Sequence, residues 1–298
     1  MSEKKERILV FAPNSWIAGK FLSFLEKHPV PIWSLYLSPA RLNNLAEVTA
    51  ALDKFQPSTV INFGGRVRTA KHNTIDGLES VEGQLVSVQD NILAPLLVAN
   101  ECAKRNIYCV VWGTGCIYNS TPSEPPILDH AKPNFDGSIY SFCKGLTDQV
   151  LTRIFREETL NLRIRMPVSD DLDCKGILGK VKHYKKLHNI QNSMTVLRDV
   201  FPIVIDLIKR KITGPINVVN PGHIDLITIR KKMVHYNLVS PMDECEYTFS
   251  NRDEMMKSTV APRSNNILST ARLELLGYSL PSIHTSIEET LTQLQTKQ

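Results

Sequence analysis

The sequence predicts an α/β protein with a doubly wound parallel sheet. The first unit shows why: residues 7–12 form a short apolar run, turn residues follow at 13–15, and Ile17, Phe21 and Leu25 then repeat at helical spacing. A continuous apolar run is typical of a parallel strand that is buried on both faces. Because such strand–helix units recur along the chain, we expect right-handed crossovers between parallel strands.

The later elements keep this order through the first half of the chain. We predict further strands at 32–37, 59–63, 108–112 and 162–166, and helices at 45–55, 81–105 and 140–155. Pro95 lies inside the longest of these helices and should kink it, because proline has no N–H to donate.

Beyond Pro167 the alternation loosens. One more strand is expected at 214–220, with helices at 200–209 and 286–294. We therefore expect a main domain over residues 1–166 and a smaller C-terminal lobe over 167–298, from which one strand returns to the main sheet.

Composition excludes several classes of function. The 298 residues are 42% hydrophobic and 22% charged, with a net charge of +5, as expected for a globular protein with a sizeable core. Basic clusters at 182–186 and 209–211 lack interleaved aromatic residues, so nucleic acid is not an expected partner. No apolar stretch approaches the ~20 residues that span a bilayer, so no membrane association is expected.

The cysteines indicate a reducing compartment. Six occur, at 102, 109, 116, 143, 174 and 245, and none forms a Cys-x-x-Cys pair. With no secretory signal at the start of the sequence, we expect free thiols, a cytoplasmic protein and no metal site.

One pair of residues points to proton transfer. Tyr140 and Lys144 are four positions apart, so on a helix they share one face. The ammonium group would favour the anionic form of the phenol, which could then exchange a proton with a carbonyl near neutral pH. Thr114, at the end of an apolar run, would bring a second hydroxyl to the same carbonyl. A Tyr-x-x-x-Lys pattern alone is weak evidence for proton transfer, and it becomes stronger together with the neighbouring Thr114.

The turn after the first strand is where such sheets bind a dinucleotide. That turn normally carries three spaced glycines, but here the positions are Ala12, Ser15 and Ala18. A left-handed backbone at any of them would cost ~1–2 kcal/mol. Two interpretations stay open, a nucleotide site and a packing turn without a ligand. Arg41, after the second strand, favours the 2′-phosphate of NADPH over NADH, or is an ordinary exposed loop arginine.

Longer blocks carry a family resemblance that spans nearly the whole chain. They comprise Trp16-Ile17, residues 38–42, 114–117, 132–144, 162–167, 192–197, 220–222 and 261–266. With these blocks the chain resembles extended short-chain dehydrogenase/reductases. It is most similar to the nucleotide-sugar 3,5-epimerase/4-reductases of nucleotide-rhamnose synthesis, and more distantly similar to dTDP-4-dehydrorhamnose reductase.

The resemblance implies a Rossmann-like dinucleotide-binding domain and a smaller substrate-binding lobe. It also implies a reductase triad of Thr114, Tyr140 and Lys144, a proton-relay water held by Asn91, and an epimerisation acid/base pair. The acid/base pair falls on Cys116 and Lys180, and the thiol would need a cationic neighbour to act as a thiolate. The implied cofactor contacts are Ala12, Ser15, Trp16, Ile17, Arg41, Phe63 and Gly64. The implied substrate contacts are Asn192, Ser193, Arg263 and Asn265.

The expected activity is NADPH-dependent reduction, with 3,5-epimerisation, of a UDP- or dTDP-4-keto-6-deoxyhexose. The expected partners are the nucleotide-sugar substrate and either a second copy of the chain or an enzyme of the same pathway. Two departures from the family pattern are the missing glycines and a loop that reads Asp225-Leu-Ile-Thr where relatives often have Ser-His-Asn-Glu. The alternative is a non-catalytic subunit of the same fold, similar to the regulatory subunit of methionine adenosyltransferase.

Overall fold

A computed structural model describes residues 5–241 and 252–297, and it contains a six-stranded parallel sheet in the order β2-β1-β3-β4-β5-β6. The strands are β1 (Glu6–Phe11), β2 (Trp33–Ser38), β3 (Thr59–Asn62), β4 (Tyr108–Thr114), β5 (Thr159–Ile164) and β6 (Gly214–Asn217). The chain leaves β1 toward β2 on one side and returns to β3 on the other. The carboxyl ends of β1 and β3 therefore flank the crevice where open α/β sheets bind ligands. The predicted doubly wound fold is confirmed.

Helices cover both faces of the sheet. They are α1 (Trp16–Lys27), α2 (Leu45–Phe55), α3 (Val81–Val88), α4 (Ala94–Lys104), α5 (Ile139–Ile154), α6 (Ile177–His183), α7 (Leu197–Lys209), α8 (Leu226–His235), α9 (Arg252–Lys257), α10 (Ala271–Leu275) and α11 (Ile283–Gln295). In the described part of the chain no helix is long and apolar enough to cross a membrane.

Alternation along β1 explains the layered core. Ile8 and Val10 point to one face, where α1 and α7 pack around an aromatic cluster that includes Phe21 and Trp112. Leu9 and Phe11 point to the other face, which α2 and α4 cover. A strand with a period of two must be apolar at every position when both faces are buried, so the continuous run in the sequence is accounted for.

The fifth strand lies earlier than predicted. It covers Thr159–Ile164 rather than 162–166. It stops because the Arg165 N–H donates to the Thr195 hydroxyl instead of to a neighbouring strand, and because Met166 has a φ of 38°. The chain therefore turns out of the sheet at this point.

The long helix predicted over 81–105 is interrupted before Pro95. A π-helical turn, Gln89–Leu93, separates α3 from α4. Pro95 offers no N–H to the Asn91 carbonyl, and that carbonyl accepts a hydrogen bond from the Thr147 hydroxyl of α5 at 2.5 Å instead. The proline thus frees a carbonyl that ties this helix to α5.

The C-terminal part contributes to two cores. Helices α6, α8 and α11 surround a second apolar cluster that includes Met194 and Ile224. Helix α7 and strand β6, in contrast, complete the core and the edge of the main sheet. The returning strand is therefore present, while the division of function at residue 166 stays a prediction.

Candidate active site

The predicted catalytic side chains meet where β4 ends and α5 begins. Ser138 caps α5 by accepting a hydrogen bond from the Ser141 N–H at 3.1 Å, so Tyr140 lies in the first turn. The Tyr140 phenol is hydrogen-bonded to the Thr114 hydroxyl. The same Thr114 oxygen accepts from the Cys116 N–H at 3.1 Å. Thr114, Cys116 and Tyr140 thus form one connected group.

Lys144 lies one helical turn after Tyr140, as predicted, and is 6% exposed. Its ammonium group donates to the Trp112 carbonyl at 3.5 Å, and burial lowers the pKa of Lys144 to about 8. The phenol behaves differently from the expectation of an acidic tyrosine. Burial, followed by the nearby Cys116, raises the pKa of Tyr140 well above its usual value. The side chain therefore keeps its proton near neutral pH, as a general acid must.

A buried ion pair lies behind Lys144. Asp148, the next residue on this face of α5, receives two hydrogen bonds of 2.7 Å from Arg163 and one of 2.8 Å from Asn161. Its charge acts against the desolvation that lowers the Lys144 pKa. Between these groups lies a cavity of about 10 Å³, also lined by Thr147, which is about the smallest space that can hold one water molecule. Sequence reasoning missed this support, although the spacing 140–144–148 on one helix could have indicated it.

Cys116 has a cationic partner that the sequence analysis did not single out. The Arg165 guanidinium donates to the Cys116 sulfur, with 2.8 Å between Nη1 and Sγ. Its other nitrogen, Nη2, donates to the Asn192 side-chain oxygen at 2.6 Å and to the Ser264 carbonyl at 2.5 Å. Lys180 of α6 lies near enough to Cys116 for the two side chains to interact electrostatically, while burial lowers the pKa of Lys180. The predicted pair is thus brought together, with Arg165 added.

The turn after β1 contains a left-handed backbone conformation, which favours glycine, although no glycine is present there. Ala12 has a φ of 52°, whereas Ser15 is extended with a φ of −68°. The left-handed backbone costs alanine ~1–2 kcal/mol, so the strain is confined to the first of the three glycine positions. Ser15 accepts the Ala18 N–H, which leaves the N–H groups of Trp16 and Ile17, at the start of α1, for an external acceptor. The Trp16 indole nitrogen is buried without a partner.

The other predicted cofactor contacts lie after β2 and β3. Arg41 is exposed beyond the end of β2, as a 2′-phosphate partner would need to be. Gly64 has no side chain, and this lets neighbouring groups come close to its backbone. A Cβ at this position would come 2.5 Å from the Leu42 side chain and 2.9 Å from the Asn62 side-chain oxygen. Phe63 differs from the expectation for a contact residue, since its ring stacks on Trp112 inside the core.

Asn91 lies in the π-helical turn and is fully buried. Its side-chain oxygen accepts from the Arg66 N–H at 2.8 Å, and its amide donates to the Arg66 carbonyl and the Ser87 hydroxyl at 2.9 Å each. These bonds hold the loop that follows β3. The water-relay role of Asn91 stays a prediction.

The predicted substrate contacts divide into two groups. Asn192 and Ser193 are buried and hydrogen-bonded within the protein, to Arg165 and to the Leu268 N–H respectively. Asn265 is also buried, and it accepts from the Asn192 amide at 3.1 Å. Arg263 is partly exposed and forms an ion pair with Asp76 at the rim of the site. Of these residues, Arg263 alone presents a charged group toward the solvent side.

Comparison with known proteins places this geometry in a family. No protein-family model matches the sequence. The chain is 32% identical over 298 residues to protein L780 of Acanthamoeba polyphaga mimivirus, covering 97% of this chain and 99% of that protein. The crystal structure of the L780 UDP-rhamnose synthase from the same source matches with a TM-score of 0.89 at 31% identity, over 97% of this chain and 99% of that one.

Two further relatives extend the comparison. A bifunctional dTDP-4-dehydrorhamnose 3,5-epimerase/dTDP-4-dehydrorhamnose reductase of Arabidopsis thaliana is 29% identical over 294 residues, covering 96% of this chain and 92% of the relative. The dTDP-4-dehydrorhamnose reductase of Bacillus anthracis shares the fold, with a TM-score of 0.77 at 16% identity over 97% of this chain and 98% of that one. The chain therefore belongs to the nucleotide-rhamnose synthase and epimerase–reductase family of enzymes, within the extended short-chain dehydrogenase/reductases.

Proposed function

We propose that this chain uses NADPH to reduce a UDP- or dTDP-linked 4-keto-6-deoxyhexose, and epimerises it at C3 and C5, in nucleotide-rhamnose synthesis. The observation that carries the proposal is the connected group of Thr114, Tyr140 and Cys116 at the carboxyl end of β4. The name of the L780 structure, UDP-rhamnose synthase, and that of the Arabidopsis epimerase and reductase support the same chemistry.

The residues at the switch point of the sheet fit a dinucleotide. The N–H groups of Trp16 and Ile17 at the start of α1 suit a phosphate, as does the positive end of the helix dipole. The Asn62 amide nitrogen, at the end of β3, is buried without a partner in the crevice beside this turn. We assign Arg41, which is exposed just after β2, to a 2′-phosphate, and this assignment supports NADPH over NADH. The related Bacillus anthracis structure contains NADP.

In the reduction, bound NADPH supplies the hydride. Hydride addition to the C4 carbon would break the C=O π bond and leave the C4 oxygen as an alkoxide, which is a stronger base than a phenolate. Tyr140 therefore donates its proton even though burial raises its pKa, and the Thr114 hydroxyl stabilises the same oxygen. Lys144, with a pKa of about 8, readily passes protons near neutral pH and lies one turn away on the same helix face.

In the epimerisation, the C4 ketone acidifies the protons on C3 and C5. Tyr140 and Thr114 would stabilise the enolate oxygen, while Cys116 and Lys180 would exchange protons with the carbon. The two side chains interact electrostatically, which supports their acting on one substrate.

An anionic substrate suits the rim of the site. Arg68 and Arg263 act on the Lys180 charge and help burial to lower its pKa, so three cationic side chains gather there. A guanidinium group matches the geometry of a phosphate oxygen pair, and we assign the nucleotide diphosphate to Arg263 and its neighbour Asn265.

Exposed apolar side chains support a homodimer or a partner enzyme. Val81 and Leu85 of α3 are 79% and 64% exposed, and Phe142 and Ile154 of α5 are 49% and 65% exposed. Size-exclusion chromatography of wild type and of Leu85→Glu measures the oligomeric state.

The described cysteines are all free, which supports a cytoplasmic location.

The alternative, a non-catalytic subunit, is favoured by the strained Ala12 turn. One experiment separates the two functions. The purified chain is mixed with a UDP- or dTDP-4-keto-6-deoxyhexose and NADPH in deuterated water, and NADPH consumption and deuterium at C3 and C5 are measured. We expect Tyr140→Phe to reduce NADPH consumption by ~10²–10⁴-fold. Tyr36→Phe, in which the ring of β2 still packs against Phe55 of α2, is the matched control.

Turnover that is lost in Tyr140→Phe and kept in Tyr36→Phe supports the proposal. A chain that neither consumes NADPH nor incorporates deuterium with either nucleotide would reject it in favour of the non-catalytic subunit.

A further inference from the structure

We propose that the cavity of about 10 Å³ behind Lys144 binds one internal water molecule, and that Asn161 is a positioning residue that holds the Lys144 ammonium group through this water. The water site stands on the geometry of the protein. The role of the held ammonium in catalysis rests on the proposed function.

An unpaired oxygen on β5 carries the first step. Asn161 is 2% exposed, and its side-chain oxygen Oδ1 has no hydrogen-bond partner in the described part of the chain. Its side-chain nitrogen donates to the Asp148 carboxylate at 2.8 Å. This bond fixes which end of the amide is the oxygen, because an ionised carboxylate can only accept. Buried polar groups are almost always paired in native proteins, so Oδ1 needs a donor.

The Lys144 ammonium group supplies the other side of the site. It has three N–H donors, and its one hydrogen bond among the described residues, to the Trp112 carbonyl, is 3.5 Å long. Ordinary N–H···O bonds measure ~2.7–3.2 Å, so this ammonium is poorly satisfied. Lys144 and Asn161 line the same cavity. A water between them would accept from the ammonium and donate to Oδ1.

The remaining walls of the cavity suit a water molecule. Asp148 also lines it and accepts three hydrogen bonds from Arg163 and Asn161, whereas a carboxylate has room for about four. Gly113 of β4 keeps the space open, because a Cβ there would come 2.4 Å from the Asn161 oxygen. A buried water needs two to four polar partners, and the ammonium, the amide oxygen and the carboxylate provide three.

This site differs from the relay water that the resemblance implies at Asn91. The Asn91 carbonyl accepts from the Thr147 hydroxyl at 2.5 Å. The Asn91 side chain is hydrogen-bonded to the backbone of Arg66 and to the Ser87 hydroxyl. Among the residues that line the cavity, the unpaired acceptor is therefore on Asn161, one strand away from β4.

The water would fix the ammonium on the side away from solvent. Asp148 of α5 and Cys116 after β4 act on the Lys144 charge in favour of the ammonium, and Arg163 of β5 pairs with Asp148. Neither of the first two is hydrogen-bonded to Lys144 among the described contacts. The water adds a directional bond, which holds Lys144 one helical turn after Tyr140, the proton donor of the proposed reduction.

The test measures the pKa of Lys144 in the full chain without substrate or cofactor. Nuclear magnetic resonance of labelled lysine follows the side-chain carbon next to the ammonium, and Lys144→Met identifies its signal. We expect Asn161→Leu to lower the pKa of Lys144 by at least ~1, because a hydrogen bond that stabilises the charged form is lost. Gly113→Ala should act in the same direction, although it keeps the Asn161 side chain that donates to Asp148.

Asn217→Leu is the matched control. Asn217 of β6 is also buried, and its side-chain oxygen is also unpaired among the described residues, but it does not line this cavity. The pKa of Lys144 should be unchanged in this variant. The inference is overturned if Asn161→Leu leaves the pKa of Lys144 unchanged, or if Asn217→Leu lowers it equally.

A high-resolution crystal structure of the wild type decides the matter if the variants fail to fold. Density for one water within hydrogen-bond distance of Asn161 Oδ1 and Lys144 Nζ supports the inference. A cavity without water density, or a protein donor on Oδ1, refutes it. If the chain turns over substrate but lacks this water, the inference fails alone. If the water and the pKa response are present without turnover, the site stands and the proposed function fails.

Discussion

Asp148→Asn should destabilise the protein strongly, because it leaves a buried guanidinium without its counter-charge. Arg163 and Asp148 are 1% and 5% exposed, and two hydrogen bonds of 2.7 Å join them. Removing one member of a buried ion pair costs ~3–5 kcal/mol. With a urea m-value of about 3 kcal/mol/M, the unfolding midpoint should fall by roughly 1 M or more.

The same substitution in an exposed pair provides the control. Asp53 and Arg105 are 68% and 29% exposed, with 3.4 Å between the carboxylate and Nε. Asp53→Asn should therefore change the free energy of unfolding by less than ~1 kcal/mol. Urea unfolding followed by circular dichroism measures both variants, and an unchanged m-value shows that only stability was affected.

The double variant tests the cause of the loss. If the cost arises from an unpaired buried cation, Arg163→Met added to Asp148→Asn should recover part of the lost stability. The reasoning is refuted if Asp148→Asn and Asp53→Asn shift the midpoint equally. It is also refuted if the double variant is less stable by the sum of the two single losses.

Three further predictions concern backbone and charge at the site. Gly64→Ala should destabilise the protein by ~1–3 kcal/mol, since the new Cβ would come 2.5 Å from the Leu42 side chain. Gly19→Ala is the control: a Cβ at this helical position has nothing within 4 Å, so the protein should be stabilised by up to ~1 kcal/mol. Urea unfolding measures both variants. Ala12→Gly should relieve a φ of 52° and raise stability by ~0.5–1 kcal/mol after the entropy cost of glycine, and a loss of stability would contradict the strain. Burial lowers the pKa of Lys144 to about 8 in the folded protein, against about 10.5 in the unfolded chain. Between these two pH values the unfolded chain holds one proton more than the folded protein, so the free energy of unfolding should rise as the pH rises from about 8 to about 10.5. The rise is up to ~3 kcal/mol and should be absent in Lys144→Met, and an equal rise in both proteins would exclude Lys144 as its source.

Local pattern predicted much of the fold. The apolar runs located all six strands, and only β5 was displaced, because the end of β5 depends on the distant Thr195 hydroxyl rather than on its own residues. Periodicity alone did not reveal the helices α6, α8, α9 and α10 of the C-terminal part, which have ten residues or fewer. Short segments carry too few turns for a spacing of 3.6 residues to stand out.

The candidate active site also has features that the sequence predicted and features that it did not. Tyr140 and Lys144 share a face because residues four apart on any helix do so, and the sequence was sufficient for that. The sequence did not predict that the Tyr140 phenol is buried and protonated, since desolvation is a property of the packed protein. The left-handed φ of Ala12 was likewise open until the turn had a conformation.

By itself, the sequence determined the alternation of strands and helices, the helix face that carries Tyr140 and Lys144, and the family. Tertiary structure decided which charges surround Tyr140. Parallel pairing of β4 with β5 sets Thr114 opposite Ile164, and this register brings Cys116 to Arg165 across 49 residues of chain. A contact of that kind depends on sheet register and on loops after the strands, which residue spacing along one segment does not specify.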